Sequence, residues 1–209
     1  MRNHVLTYRP LRGGIRIFNP LVNEPGTLGF AATADGGERW IVSCHHVLCG
    51  GGGSEAIYQP IDEPESIVAF TDPARARADL DCAAARLAGG VDALADVLGI
   101  GTPGLPVPPR EGMRVIKSGA STGVTEGVIT EVRPGRVEIE PLGLPEDYQL
   151  SEGGDSGALW VAAGSLAAVV LHQGGSARPR CFAYGIPVLD ALAALNLSML
   201  PLPRAAVTP

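Results

Sequence analysis

"EGGDSGALW", residues 152–160, sets Ser156 between two glycines, behind Asp155 and at the head of an apolar run. Two readings compete for it. Gly-Asp-Ser-Gly is ordinary turn chemistry, because glycine supplies backbone freedom while Asp and Ser bond their own backbone. The same residues can hold a serine hydroxyl at the tip of a tight turn, with backbone N–H groups converging beside it. What separates the two is the company the turn keeps, since a serine nucleophile needs a base within hydrogen-bond reach and a carboxylate to orient that base.

That company lies upstream. "RWIVSCHHVL", residues 39–48, ends an apolar strand on His45 and His46, and "DLDCAAARL", residues 79–87, puts Asp79 and Asp81 at the mouth of another. The order is His, Asp, Ser. An esterase of the α/β-hydrolase class fits poorly, because that class places its serine in Gly-x-Ser-x-Gly and its histidine last.

Composition sets the bounds. The chain has 209 residues, 45% of them hydrophobic, enough to bury a core as one domain or two small packed lobes. A net charge of -6, a pI near 5.2 and no run of Lys or Arg argue against nucleic acid as a partner. No apolar run approaches the roughly 18 residues of a membrane span. The opening "MRNHVLTYRPLRGGIRIFNP" lacks the apolar core of a secretory signal, so the expectation is a soluble cytoplasmic protein without a membrane partner. Cys44, Cys49, Cys82 and Cys181 are too few and too unevenly spaced for a disulfide framework. No cofactor motif is present.

Short apolar segments bounded by Gly, Pro or Asp recur throughout: "TLGFAATA", "SIVAF", "CAAARLA", "RVIKSG", "TEGVITEV", "RVEIEPL", "SGALWVAA", "LAAVVLHQ" and "RCFAYGIPV". Many short strands with little helix predict sandwiches or barrels. "DGGE", residues 35–38, marks a hairpin turn. "GTPGLPVPPREG", residues 101–112, is the densest Pro/Gly stretch and reads as a connector between two halves. Pro187 opens "PVLDALAAL", in which Val188, Leu189, Leu192 and Leu195 can share one face of a short helix. Residues 201–209 read as a loosely attached tail.

On these segments the sequence resembles a known superfamily. "SCHHVL", "DCAAARL" and "GGDSGALW" are similar to the histidine, aspartate and serine motifs of chymotrypsin/trypsin-like serine peptidases. "GTLGFAATADGGERWIVSCHHVL" and "VIKSGASTGVTEGVI" narrow the resemblance to bacterial relatives of the plant narrow-leaf-type trypsin-like proteins. It implies an all-β fold of two antiparallel six-stranded β-barrels: residues 1–100 carrying His and Asp, and 113–200 carrying Ser, the specificity pocket and a short C-terminal helix. The activity implied is a serine endopeptidase that hydrolyses polypeptides through an acyl-enzyme.

Residue by residue, the resemblance assigns His46 as general base and then general acid, Asp81 as its orienting carboxylate and Ser156 as nucleophile. The N–H groups of Gly154 and Ser156 would form the oxyanion hole, with Asp155 shaping it through an internal ion pair or hydrogen bonds. By strand alternation His45 points to the opposite side from His46, while Asp79 and Asp81 share one face and compete for one role. The pocket would be lined by Leu150, Ser151 and residues 169–175, including His172 and Gly175. Leu150 stands where trypsin carries its pocket acid, which disfavours cleavage after Arg or Lys. "LHQGG" resembles glutamyl endopeptidases, so His172 and Ser151 together imply a carboxylate receptor and an acidic preference. Phe182 or Tyr184 could also line the pocket and favour a smaller residue.

Two rivals remain at this level. One is a zinc site from Cys44, His45, His46 and Cys49, disfavoured because no second Cys/His pair has matching spacing. The other is a catalytically silent binding module that keeps the fold. The hazard of an unregulated cytoplasmic protease adds the expectation of tight specificity or an activating protein partner.

Overall fold

The computed structural model describes residues 3–61, 63–141, 143, 148–176 and 181–200, so the expected tail lies outside the described residues. The first half contains β1 (Leu11–Gly13), β2 (Arg16–Phe18), β3 (Pro25–Thr27), β4 (Phe30–Thr33), β5 (Arg39–Ser43), the single-turn helix α1 (His45–Leu48), β6 (Ala56–Tyr58), β7 (Ile67–Arg77), β8 (Cys82–Leu87) and β9 (Ala93–Val97). The second contains β10 (Arg114–Gly119), β11 (Gly123–Arg133), β12 (Arg136–Glu140), β13 (Leu159–Ala162), β14 (Ala168–Ser176), β15 (Phe182–Pro187), α2 (Val188–Leu195) and β16 (Ser198–Met199). Between β9 and β10, in residues 98–113, only isolated bridges occur.

The second half closes into a six-stranded barrel in the order β10-β11-β12-β15-β14-β13. The first half curls as a half-barrel: an eight-stranded sheet in the order β16-β4-β5-β8-β7-β6-β2-β3, with β1 pairing parallel to β9. No ladder seals β3 to β4. The chain there is held by single bonds instead, Leu28 N–H to Ile15 C=O at 2.9 Å and Gly29 N–H to Val42 C=O at 2.9 Å.

The alanine run of β8 has a packing reason. Its residues alternate between two apolar layers: Ala83 and Ala85 face the core inside the first lobe, while Cys82 and Ala84 face a second core between the lobes. A strand covered on both sides reads as continuous apolar sequence, and small side chains let both layers approach. The inter-lobe core joins Phe30, Trp40 and Val42 to Leu159, Val161, Leu171, Ile186 and α2. Each such large side chain contributes about 1.5–3 kcal/mol on burial, so the lobes are one packed unit.

The face of α2 differs from the expected one. Val188, Ala191, Leu192 and Leu195 are buried, whereas Leu189 is 40% exposed. Pro187 caps the helix from outside rather than opening its first turn, so the i, i+3, i+4, i+7 stripe runs from Val188 and leaves Leu189 about 100° round the helix. Asn196, left-handed at φ 50°, ends it. Among the described residues no helix is long and apolar enough to cross a membrane.

Candidate active site

β5 delivers the histidines to the crevice. Val47 and Leu48 are buried and anchor α1, whose one turn begins at Cys44 with Val47 and Leu48 N–H donating to the Cys44 carbonyl. Because His45 and His46 start a helix rather than continue a strand, they diverge by about 100° and not by the expected alternation. His46 stands at the crevice. His45 turns away, lining a small cavity with Cys49, Thr71, Pro73 and Ala76.

Asp81 reaches His46 from the turn before β8. His46 Nδ1 lies 2.8 Å from Asp81 Oδ2 and 3.0 Å from Oδ1, and the His46 backbone N–H also donates to Oδ1 at 3.0 Å. The carboxylate thus holds both the ring and its backbone, fixing the tautomer with Nε2 as the free acceptor. The expected ambiguity between Asp79 and Asp81 vanishes for a local reason. Residues 78–81 form a turn, not a strand, and Asp81 takes a left-handed backbone at φ 48° that Asp tolerates. Asp79 points outward and pairs with Arg77 at 3.0 Å.

The serine comes from the other lobe. Gly154 has φ +98°, and a Cβ there would sit 2.4 Å from Ser121 Oγ, so the turn needs glycine for both backbone and space. Asp155 N–H bonds back to Glu152 C=O at 3.0 Å, whereas among the described residues no backbone acceptor takes the N–H of Gly154 or Ser156. These are the two donors an oxyanion would use. Ser156 Oγ donates to Gln173 C=O at 3.0 Å, and among the described residues no hydrogen bond joins it to His46. Structures without substrate commonly show such long or misaligned catalytic contacts, which tighten when substrate binds.

Beneath the turn lies a buried ion pair. Asp155 and Lys117 have fully buried side chains with Nζ to Oδ2 at 2.8 Å. Lys117 Nζ also donates to Thr122 Oγ1, and Asp155 accepts from Ser121 N–H, Thr122 N–H, the Thr122 hydroxyl and Glu152 N–H. Burial works to raise the Asp155 pKa, but Lys117 and these donors outweigh it and hold the carboxyl below the usual range.

The pocket residues gather on β14 and its neighbours. Leu150 is in the core of the closed barrel, while Ser151 Oγ lies 2.8 Å from His172 Nε2. Trp160 Nε1–H donates to His172 Nδ1 at 3.3 Å, so Nε2 carries the proton and donates to Ser151. Burial, then the Lys117 charge, lower the His172 pKa from its ordinary 6.5 to about 3. The imidazole is therefore neutral, so any carboxylate it helps to receive would meet a hydroxyl and not a cation. Gly175 is exposed and lies against the buried Ser151: a Cβ at Gly175 would stand 3.0 Å from the Ser151 Cβ. Tyr184 packs against Gly174 with Phe182 beside it, 6.2 Å between rings.

The His172 shift gives a pH dependence with a definite sign. The folded chain keeps this histidine neutral while the unfolded chain protonates it below 6.5, so stability falls as pH drops from 6.5 toward 3. Carboxylates with depressed pKa values, such as Glu55 and Asp155, act only below their ordinary 4.5 and 3.8. Urea unfolding between about pH 8 and about pH 4.5 should therefore lose on the order of 2–3 kcal/mol through His172. The loss should shrink in His172→Gln; an unchanged slope would contradict the assignment.

The rival zinc cluster of Cys44, His45, His46 and Cys49 does not come together among the described residues, since His45 and Cys49 line the separate cavity. A different trio converges, Cys44, His46 and Asp81, with ligand atoms within 4.8 Å of one another. The Cys44 thiol is buried and donates to His172 C=O at 3.1 Å; burial, then the Asp81 charge, push its pKa well up.

No family model and no curated protein matches the sequence. Solved structures do. A glutamic acid-specific serine protease, described as using a novel histidine triad in substrate binding, superposes with a TM-score of 0.71 at 22% identity over 91% of this chain and all of its own, 100%. The α-lytic protease homologue N4 gives 0.68 at 25%, covering 90% and 98%, and the Nocardiopsis protease NAPase 0.67 at 21%, covering 91% and 99%. The fold is chymotrypsin-like. The likeness extends to this superfamily of serine proteases, and nothing in it singles out the plant narrow-leaf type.

Four residues of the chymotrypsin-like crevice make contacts not anticipated from the sequence, where Cys44 has a role only as a ligand of the rival zinc site and Gln173 only within the pocket segment 169–175. Lys117 had a visible signal, a lysine in the apolar strand "VIKSG". Thr27, Cys44 and Gln173 had none, because their contacts cross between lobes and no local pattern encodes them.

Proposed function

We propose that the chain is a serine endopeptidase in which Ser156 attacks the scissile carbonyl, His46 takes its proton and returns it to the leaving amine, and Asp81 holds the imidazole. The N–H groups of Gly154 and Ser156 receive the oxyanion. The observation that carries this reading is the doubly anchored His46–Asp81 pair, 2.8 Å at its shortest, facing a serine in a glycine turn from the opposite lobe. Rotation about the Ser156 Cα–Cβ bond releases the hydroxyl from Gln173 C=O, and peptide binding or an activating partner can supply that step. The experiment is covalent labelling by a fluorophosphonate, located by peptide mass spectrometry. Modification at Ser156 is expected. A folded protein left unmodified supports the binding-module reading, which the Ser156–Gln173 contact favours.

Acidic preference is part of the proposal, carried by a hydroxyl and not by a cation. Trp160 and His172 form a chain of donors that ends on Ser151 Oγ, leaving the Ser151 proton free for a substrate carboxylate. The glutamic acid-specific protease supports the class of substrate, but His172 here is flanked by Trp160 and Ser151, so no histidine triad stands behind it. One charge-assisted hydrogen bond of about 1.5–3 kcal/mol gives roughly a tenfold to hundredfold preference for Glu or Asp before the cut. A peptide-library profile without such enrichment ends this part and leaves the triad untouched.

A further inference from the structure

Cys44 occupies an unusual place for a thiol. It is wholly buried at the base of the crevice, one residue before α1, directly under the pair that orients the proposed base. Its Sγ, a ring nitrogen of His46 and a carboxylate oxygen of Asp81 lie within 4.8 Å of one another. Thiol, imidazole and carboxylate are three different donors, and each serves zinc, with bonds of about 2.3, 2.0–2.1 and 2.0–2.2 Å. Tetrahedral bonds of that length separate ligand atoms by roughly 3.5 Å, so the trio needs adjustments of about 1 Å. The side chains of His46 and Asp81 are 46% and 30% exposed, which gives an entry path and room for a water as fourth ligand.

We propose that Cys44, His46 and Asp81 form an inhibitory binding site for a thiophilic divalent cation of the zinc class. Thiolate excludes Mg²⁺ and Ca²⁺, which prefer oxygen, and selects softer ions. The chemistry balances simply. The Cys44 thiol loses its proton to solvent and binds as thiolate; the His46 proton moves from Nδ1 to Nε2 as Nδ1 becomes a ligand; Asp81 binds through one oxygen. One proton is released for each cation bound. The His172 carbonyl that gives up the thiol keeps the Gly157 N–H at 2.8 Å, so no buried acceptor is stranded.

Inhibition follows from the tautomer. With its proton on Nε2, His46 presents a donor to the crevice where the mechanism needs an acceptor, and it cannot take the Ser156 proton. Removing the cation restores the Nδ1–H contact to Asp81 and the base with it. The inhibitory consequence rests on the serine-peptidase reading; binding of the cation does not.

The test separates the two. Zn²⁺ competition between the metal-free protein and a chromophoric chelator measures stoichiometry and affinity without any reference to turnover. Wild type and Ser156→Ala are expected to bind one Zn²⁺ per chain alike, and Cys44→Ala to bind at least about tenfold more weakly. Co²⁺ should add a thiolate-to-metal charge-transfer band in wild type that Cys44→Ala lacks. In peptide hydrolysis, Zn²⁺ should inhibit wild type reversibly, with a chelator restoring the rate and Mg²⁺ without effect. Relative to its own metal-free rate, Cys44→Ser should need at least about tenfold more Zn²⁺, and it serves in every arm if the alanine variant does not fold. Equal Zn²⁺ affinity in wild type and a folded Cys44 variant overturns the site, as does a cobalt complex without the band. If wild type hydrolyses nothing, the peptidase reading fails while the chelator titration still decides the metal site.

Discussion

Ser156→Ala is expected to lower kcat for peptide hydrolysis by about 10⁶, to a residual rate supplied by substrate binding and the oxyanion donors. The size follows from the roles: without the hydroxyl no acyl-enzyme forms, and His46 and Asp81 have nothing to activate. Asp81→Asn should cost about 10⁴ while leaving KM nearly unchanged. An amide in place of the carboxylate can still meet His46 Nδ1, now held 2.8 Å from Oδ2, but it favours the tautomer with the proton on Nε2, which is useless as a base. Burst and steady-state kinetics on a chromogenic peptide measure both. A Ser156→Ala variant that keeps more than about a hundredth of wild-type kcat would remove the serine from the mechanism.

Lys117→Met should produce the largest loss of stability of any single change in the crevice, about 3–5 kcal/mol by urea unfolding. Methionine nearly matches the lysine in volume, so packing against Trp160, whose ring lies 5.4 Å from Nζ, largely survives. What is lost is the only cation facing a fully buried carboxylate among the described residues. Asp155 still has backbone and hydroxyl donors, which keeps the expected cost within that range. Because Asp155 sits between the two oxyanion donors, labelling of Ser156 should slow as well. The same variant should raise the His172 pKa, since the Lys117 charge is one of the forces holding it down, and so shrink the loss of stability that begins below pH 6.5. A variant as stable as wild type would mean that the pair is replaceable by apolar contact.

The legible part of the molecule was the part written in local pattern. The short apolar segments and the DGGE hairpin carried the all-β class because each depends on a few adjacent residues, while His46, Asp81 and Ser156 were singled out by the resemblance of three motif segments, and of these His46 and Asp81 meet in the structure. Turn chemistry at residues 78–81 was visible only as two alternating acids, so the outward swing of Asp79 was not foreseen. The charge on His172, open between neutral and cationic at the sequence level, turns on surroundings that a sequence does not show. A sequence shows which residue is a histidine but not that Trp160, on the adjacent strand, will lock its tautomer, or that burial will suppress its proton. Leu189 shows the sensitivity of helical faces to a one-residue shift in the start.

Thr27 belongs to the first lobe, yet it is bonded chiefly to the Gly154–Ser156 turn of the second. Its N–H donates to Ser156 C=O at 2.8 Å, its hydroxyl to Gly154 C=O at 2.7 Å, and its Oγ1 accepts from Ala120 N–H at 2.9 Å. Ser43, at the end of the strand that leads to His46, donates to the Thr27 carbonyl at 2.8 Å. A residue tied in this way has no private opening: its amide can meet solvent only when the two lobes part and the turn comes undone. In deuterated water the Thr27 proton should exchange at the rate set by global unfolding, alongside the slowest core amides. The turn that carries Ser156 would then be no loop in the dynamic sense but a piece of the domain's most protected unit.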